Sequence, residues 1–179
     1  MLSISFVFWL LIFIFALIGA MRGWGKELLV TFSIILALFV IQLVHAHVPP
    51  IARMLSSKDP RYQFYLWTAL VTTFALFGYH TPKIPRVPKI VGGNLARERL
   101  QDWLLGGVLG AINGYLLVGT IWFYLDFASY PFPEHIMTAP GEDSAASQII
   151  ALLPPTWLGV PIIYIAVAIA FTLVVVVFI

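Results

Sequence analysis

The sequence predicts an all-α polytopic membrane protein with five transmembrane helices, and three observations carry that reading. Of 179 residues, 61% are apolar and only 10% are charged, against about 25% charged in an ordinary soluble domain. The charges are also unevenly spaced, leaving five intervals without Asp, Glu, Lys or Arg: Met1 to Met21, Leu28 to Ala52, Tyr62 to Pro82, Trp103 to Leu125 and Ser144 to Ile179. Each suffices for a helix to cross about 30 Å of hydrocarbon, which takes roughly 20 apolar residues. Finally, the runs are continuous, whereas barrel strands alternate apolar and polar residues over about ten positions.

The rest of the composition narrows the function classes. Ten Lys plus Arg against eight Asp plus Glu leave a net charge of +2, too small a surplus to build a nucleic-acid surface. The absence of cysteine removes disulfides, thiolate nucleophiles and zinc–cysteine sites together.

Taken in order, the spans are expected at about Ser3 to Ala20, Leu28 to Val48, Tyr62 to His80, Leu104 to Leu125 and Trp157 to Phe178. The first lacks a basic leader, and its nearest cations, Arg22 and Lys26, follow it, so it is expected as a retained anchor rather than a cleaved signal. Tyr62 and Trp67 open the third span, Trp103 opens the fourth, Trp122 and Tyr124 close it, and Trp157 opens the fifth, as interfacial anchors do. Residues 1–153 thus form a four-span membrane domain with an acidic extracytoplasmic loop, and residues 154–179 an additional C-terminal helix.

Cytoplasmic loops carry the excess of Lys and Arg. The first and third loops hold seven such cations (Arg22, Lys26, Lys83, Arg86, Lys89, Arg97 and Arg99), and the second and fourth hold three, Arg53, Lys58 and Arg61. This places the N-terminus outside the cytoplasm and the C-terminus inside. The fourth loop agrees, with Asp126, Glu134, Glu142 and Asp143 and no cation.

Two loops have patterns of their own. Between Thr81 and Ile90, prolines (Pro82, Pro85, Pro88), cations (Lys83, Arg86, Lys89) and β-branched residues (Ile84, Val87, Ile90) each recur every third position, the polyproline II period. The cationic edge suits anionic lipid at the cytoplasmic surface, at about 1 kcal/mol per cation; a stiff spacer obeying the charge bias is the alternative. After Gly92-Gly93, Asn94 is expected to cap a short helix leading into the fourth span. In the fourth loop, Asp143 or Ser144 is expected to cap an interfacial helix running through Gln148 to Leu153 and stopped by Pro154-Pro155.

Chemistry-bearing constellations are sparse. No Asp, Glu, Lys or Arg falls inside an expected span, which argues against an ion-coupled transporter or pump and leaves a neutral pore as the weaker alternative. His45 and His47, two residues apart, point away from each other on a helix. His45 or His80 as an axial ligand to a pigment or haem is the remaining histidine role, and no other cofactor or metal is implied. No HExxH, GxSxG or P-loop occurs. The fourth span instead carries a packing face: Gly106, Gly110 and Gly114 recur every fourth residue, flanked by Gly107 and Ala111, with Asn113 able to bond across a helix interface. That face serves either packing within the chain or a contact with another subunit.

Two segments resemble the colicin V production protein (CvpA) family of bacterial inner-membrane proteins. Met21 to Leu28 is similar to the Arg-Gly, three residues, Glu turn joining that family's first two spans. Gln101 to Gly114, followed by Phe123 to Asp126, looks like its Asp, Leu-Gly, Gly-Ala, Gly run and closing Leu-Asp. The chain departs from the pattern at Trp103 and Asn113, where the family often has basic residues, and in carrying a fifth apolar segment. The resemblance implies peptide-toxin export, envelope homeostasis or membrane scaffolding, with no catalytic residue. Physically, Arg22 and Lys26 would hold the first turn at the cytoplasmic surface, Gly23 and Gly25 permit a tight reversal, and Glu27 meets the positive end of the second helix.

The expected function is therefore a non-enzymatic scaffold or export accessory of the inner membrane, working through helix contacts with a membrane-protein partner or further copies of itself. An auxiliary subunit of a large respiratory or photosynthetic complex is the alternative. For the cationic loop, replacing Lys83, Arg86 and Lys89 by Gln should weaken its association with anionic liposomes; unchanged association would remove the lipid contact.

Overall fold

The computed structural model describes residues 3–80, 95–132, 140–141 and 144–178. Among them all regular structure is helical: α1 (Ile4–Arg22), α2 (Trp24–His47), α3 (Pro49–Ser56), α4 (Pro60–Tyr79), α5 (Leu95–Phe127), α6 (Ala145–Ile150), α7 (Pro154–Trp157) and α8 (Ile162–Phe178). By length and composition, Ile4–Arg22, Trp24–His47 and Arg97–Phe127 suffice to cross a membrane, while α8 is shorter at 17 residues. The cationic polyproline segment with Lys83, Arg86 and Lys89, the Asn94 cap, and Glu134, His135, Glu142 and Asp143 lie outside the described residues.

The long helices run alternately up and down. On the α1/α5 interface, Gly19 meets Gly106 and Gly110, Phe15 meets Gly110 and Gly114, and Phe8 meets Tyr115 and Trp122. The numbers fall on one helix as they rise on the other, so the two are antiparallel. α2 stands at the centre against α4, α5 and α8, burying Val30, Ile34, Ala37, Leu38 and Ile41. Gly78 of α4 lies on Val30 and Ser33, and Trp67 reaches His45. α8 lies along the opposite flank of α2, with Tyr164 beside Phe39 and His47, Phe171 beside Phe32, and Phe178 beside Gly25. One end of the bundle therefore collects the α1/α2 turn, the close of α4 and the end of α8. The other collects His47, α3 and the close of α5.

Several boundaries differ from the sequence expectation. The first reversal takes a single non-helical residue, Gly23, whose φ of 87° favours glycine; α2 therefore begins at Trp24, and Glu27 lies inside the helix. A separate short helix before the fourth span does not form, because Arg97 to Arg99 belong to one continuous 33-residue helix. Ser144 caps α6 by accepting from the Ser147 N–H at 3.3 Å, but α6 ends at Ile150, and Pro154 opens a further turn, as proline does at a first helical position. The last long helix begins at Ile162, so Trp157 does not open it.

The glycine face packs within the chain. A β-carbon at Gly19, Gly106, Gly110 or Gly114 would come within 3.0 Å of the facing helix, and at Gly110 the obstacle is backbone. Gly107 is different: its β-carbon would meet Ala16 O and Ala20 Cβ at an ordinary 3.6 Å. Gly110→Leu should therefore destabilise the detergent-solubilised protein by about 1–3 kcal/mol or more through overpacking, whereas Gly107→Ala should be neutral or stabilising by up to about 1 kcal/mol. Equal thermal shifts for the two variants would contradict this packing.

Candidate functional site

Where α1, α2, α4 and α5 meet, the reversal at Gly23 brings a charged pair together. Arg22 ends α1, and its Nη1 lies 2.5 Å from Oε1 of Glu27 in the first turn of α2. Glu27 is fully buried, and the Arg22 side chain is 21% exposed. The second carboxylate oxygen accepts from Asn113 Nδ2 of α5 at 2.9 Å, and the same amide lies 3.1 Å from the Glu27 carbonyl. A carboxylate only accepts, so the amide must turn its NH₂ toward it. This leaves Asn113 Oδ1 facing the Thr31 hydroxyl at 2.7 Å, which also lies 3.0 Å from the Glu27 carbonyl.

Two further contacts tie the helix ends to this cluster. Arg22 Nη2 donates to the Tyr79 carbonyl at 3.1 Å, satisfying an acceptor that the end of α4 leaves without a helical donor. Its guanidinium also stands 4.4 Å from the centroid of the Tyr79 ring, in cation–π range. Gly23 has no side chain with which to cap α2, and Asp102 of α5 supplies that acceptor, receiving the Trp24 N–H at 3.0 Å. A β-carbon at Gly23 would lie 2.7 Å from Asp102 Oδ1, so the glycine serves both the backbone angle and the approach of the cap.

Glu27 stands in the first turn of α2, as expected, but it is buried within the protein rather than exposed at the turn. Both carboxylate oxygens are engaged, one by a cation and one by an amide. Chemically the cluster is a lock: it neutralises a buried charge by joining four helices.

The other residues singled out in sequence fall elsewhere. Lys26 is exposed, Gly25 faces Phe178, and Ala111 is half-buried on α5. His45 rests 5.4 Å from the Trp67 ring at one end of the bundle, while His80 closes α4 at the other, so the two are not brought together. Among the described residues no three His, Cys, Asp or Glu side chains converge as metal ligands. Sequence reasoning named Arg22, Glu27 and Asn113 in separate roles and overlooked Thr31, Tyr79 and Asp102 as their partners. The signal for Thr31 was present, since it follows Glu27 by four residues and shares its helix face.

The fold and cluster define a helical membrane protein whose polar residues join its own helices. The chain belongs to the colicin V production protein family, which it matches over residues 4–152. No curated protein and no solved structure matches it. The family match takes in α1 to α6 and every residue of the cluster; α7 and α8 lie beyond it.

The two partners of the ion pair should respond unequally. Arg22→Met strands a fully buried carboxylate and should cost about 3–5 kcal/mol. Glu27→Leu leaves a cation that still reaches water and should cost less. The double variant Arg22→Met/Glu27→Leu should be more stable than Arg22→Met alone. Thermal unfolding in detergent measures all three, and additive losses would show that the pair is not coupled.

Proposed function

We propose that this protein is a non-enzymatic scaffold or export accessory of the bacterial inner membrane, acting through helix–helix contacts. The observation that carries this reading is the Glu27 cluster, a buried polar group whose Arg22, Glu27 and Asn113 side chains are engaged in joining helices. The outward surface is the opposite: α1 exposes Phe6, Trp9, Leu10, Phe13 and Leu17, and α8 exposes Ile165, Ile169, Phe171 and Leu173. In a membrane protein such surface contacts lipid or another helix. The Gly106, Gly110 and Gly114 face is occupied by α1, so contact with a membrane-protein partner or a second copy falls to these outward faces.

The protein crosses the membrane five times, through α1, α2, α4, α5 and α8, with its N-terminus outside and its C-terminus in the cytoplasm. The arrangement of ends supports this, because Arg22, Lys26 and the exposed Arg97 and Arg99 belong to the end where the α1/α2 turn and the close of α4 meet α5. The same end receives Phe178. The linker carrying Lys83, Arg86 and Lys89 joins two helices there and is the segment proposed to meet anionic lipid.

Extraction from native membranes in mild detergent, with mass spectrometry of what co-migrates, tests the function, and a C-terminal reporter on the same protein tests its orientation. Migration as a homo-oligomer or with an export component, and a reporter active only in the cytoplasm, are the expected results. Co-migration with a pigment- or haem-bearing complex would instead make the protein an auxiliary subunit. A reporter active only outside would reverse the topology.

A further inference from the structure

Between the close of α5 and the start of α8 the chain takes an unexpected course. Leu153 and Pro154 are fully buried, and the Pro154 ring packs on Gly119 so closely that a β-carbon there would lie 2.7 Å from Pro154 Cδ. Deeper still, Tyr115 donates its hydroxyl proton to the Leu152 carbonyl and receives the Trp157 indole N–H at 3.0 Å. Tyr115 stands 13 residues from Asp102 and 11 from Asp126, the charges that bracket the apolar stretch of α5. At 1.5 Å per residue it lies about 20 Å and about 17 Å from them, near the middle of a hydrocarbon layer about 30 Å thick.

We propose that Ala145–Leu158 is a re-entrant strap, which dips to about half the depth of the bilayer from the end where α5 closes, turns at Pro154-Pro155 and returns to α8. Non-helical backbone survives in hydrocarbon only where its polar groups are satisfied within the protein, and the stretch from Ile149 to the Pro154 turn is supplied with donors at its carbonyls. Every carbonyl from Ile149 to Pro154 accepts a hydrogen bond. Ile149 and Ile150 receive the N–H groups of Leu152 and Leu153, Leu153 receives that of Thr156, and Pro154 receives that of Leu158. The single proton of the Thr156 hydroxyl lies between the Ala151 carbonyl at 3.1 Å and the Leu153 carbonyl at 2.5 Å, and because Leu153 already receives the Thr156 N–H that proton is free for Ala151, while Leu152 has Tyr115. On the donor side, the N–H groups of Leu152, Leu153, Thr156 and Leu158 are the ones just named, and Pro154 and Pro155 have none to satisfy.

The outward face of the strap agrees. Leu152 is 67% exposed and Trp157 45% exposed, and no charged residue occurs between Asp143 and the end of the chain. A loop resting in water has no need of an apolar outer face or of donors at every carbonyl from Ile149 to Pro154. The strap packs against α1 and α5 beside Phe8 and Tyr115 and leaves the outward face of α1 with Trp9 and Phe13 open. The inference rests on α5 crossing the membrane and holds for either orientation.

Because the chain has no cysteine, single nitroxide labels test this in the full-length protein reconstituted in phosphatidylcholine–phosphatidylglycerol vesicles. Labels at Leu152→Cys and Ala151→Cys should collide with oxygen as readily as a label at the outward-facing Val108→Cys, and should lose the collisions with water-soluble nickel chelate that a label at Lys58→Cys shows. Nickel accessibility at both strap positions equal to that at Lys58→Cys would overturn the proposal. Adding Tyr115→Phe should restore nickel collisions at position 152, and an unchanged profile would refute the tether. The oligomer and reporter experiments above can fail without altering these results.

Discussion

Gly19, Gly106 and Gly110 bring the backbones of α1 and α5 so near that no β-carbon fits between them, and the polar groups of the bundle take their places from that contact. With α1 lying flat on α5, the reversal at Gly23 falls beside Asp102, which caps the incoming helix. The same register turns Asn113 toward the first turn of α2 and sets Tyr115 and Gly119 along the groove in which the Pro154 turn rests. In lipid there is no hydrophobic drive to press helices together, so close van der Waals packing of small residues has to supply much of the association.

The ion pair follows from that geometry. A carboxylate deep among helices is costly unless it is paired and hydrogen-bonded, and Glu27 is both. The compensating cation comes from the turn itself, through Arg22, while α5 contributes the neutral amide of Asn113 at a position where the family often has a basic residue. Because Arg22 also bonds the Tyr79 carbonyl, the side chain that neutralises Glu27 also ties down the end of α4, whose docking otherwise rests on Trp67, Val71, Ala75 and Gly78.

Function, in this reading, lies on the outside of the molecule. The internal polar groups join helices, whereas the outward faces of α1, α4 and α8 are broad and apolar. α8 adds to the family's helical core a helix seated on α2 mainly through aromatic contacts, Phe32 with Phe171 and Phe39 with Tyr164. A scaffold needs such surfaces rather than a cavity.

The membrane class, the all-helical architecture and the positions of the long helices were legible in the sequence, because charge-free intervals and interfacial aromatics are local properties of the chain. The glycine repeat of α5 was legible as a packing face, but its occupant was not: Gly19 is one glycine in an apolar run, and only the antiparallel register shows that α1 covers the repeat. Glu27 was legible as a residue at the start of the second helix, but not as a buried one, because its burial depends on α5 lying against that first turn. Trp157 read as an anchor for the last span because an aromatic beside an apolar run usually is one. Tertiary structure alone decided that Asn113 reaches Glu27 and that Trp157 meets Tyr115, since hydrogen bonds between residues 86 or 42 positions apart depend on helix register, which no local pattern encodes.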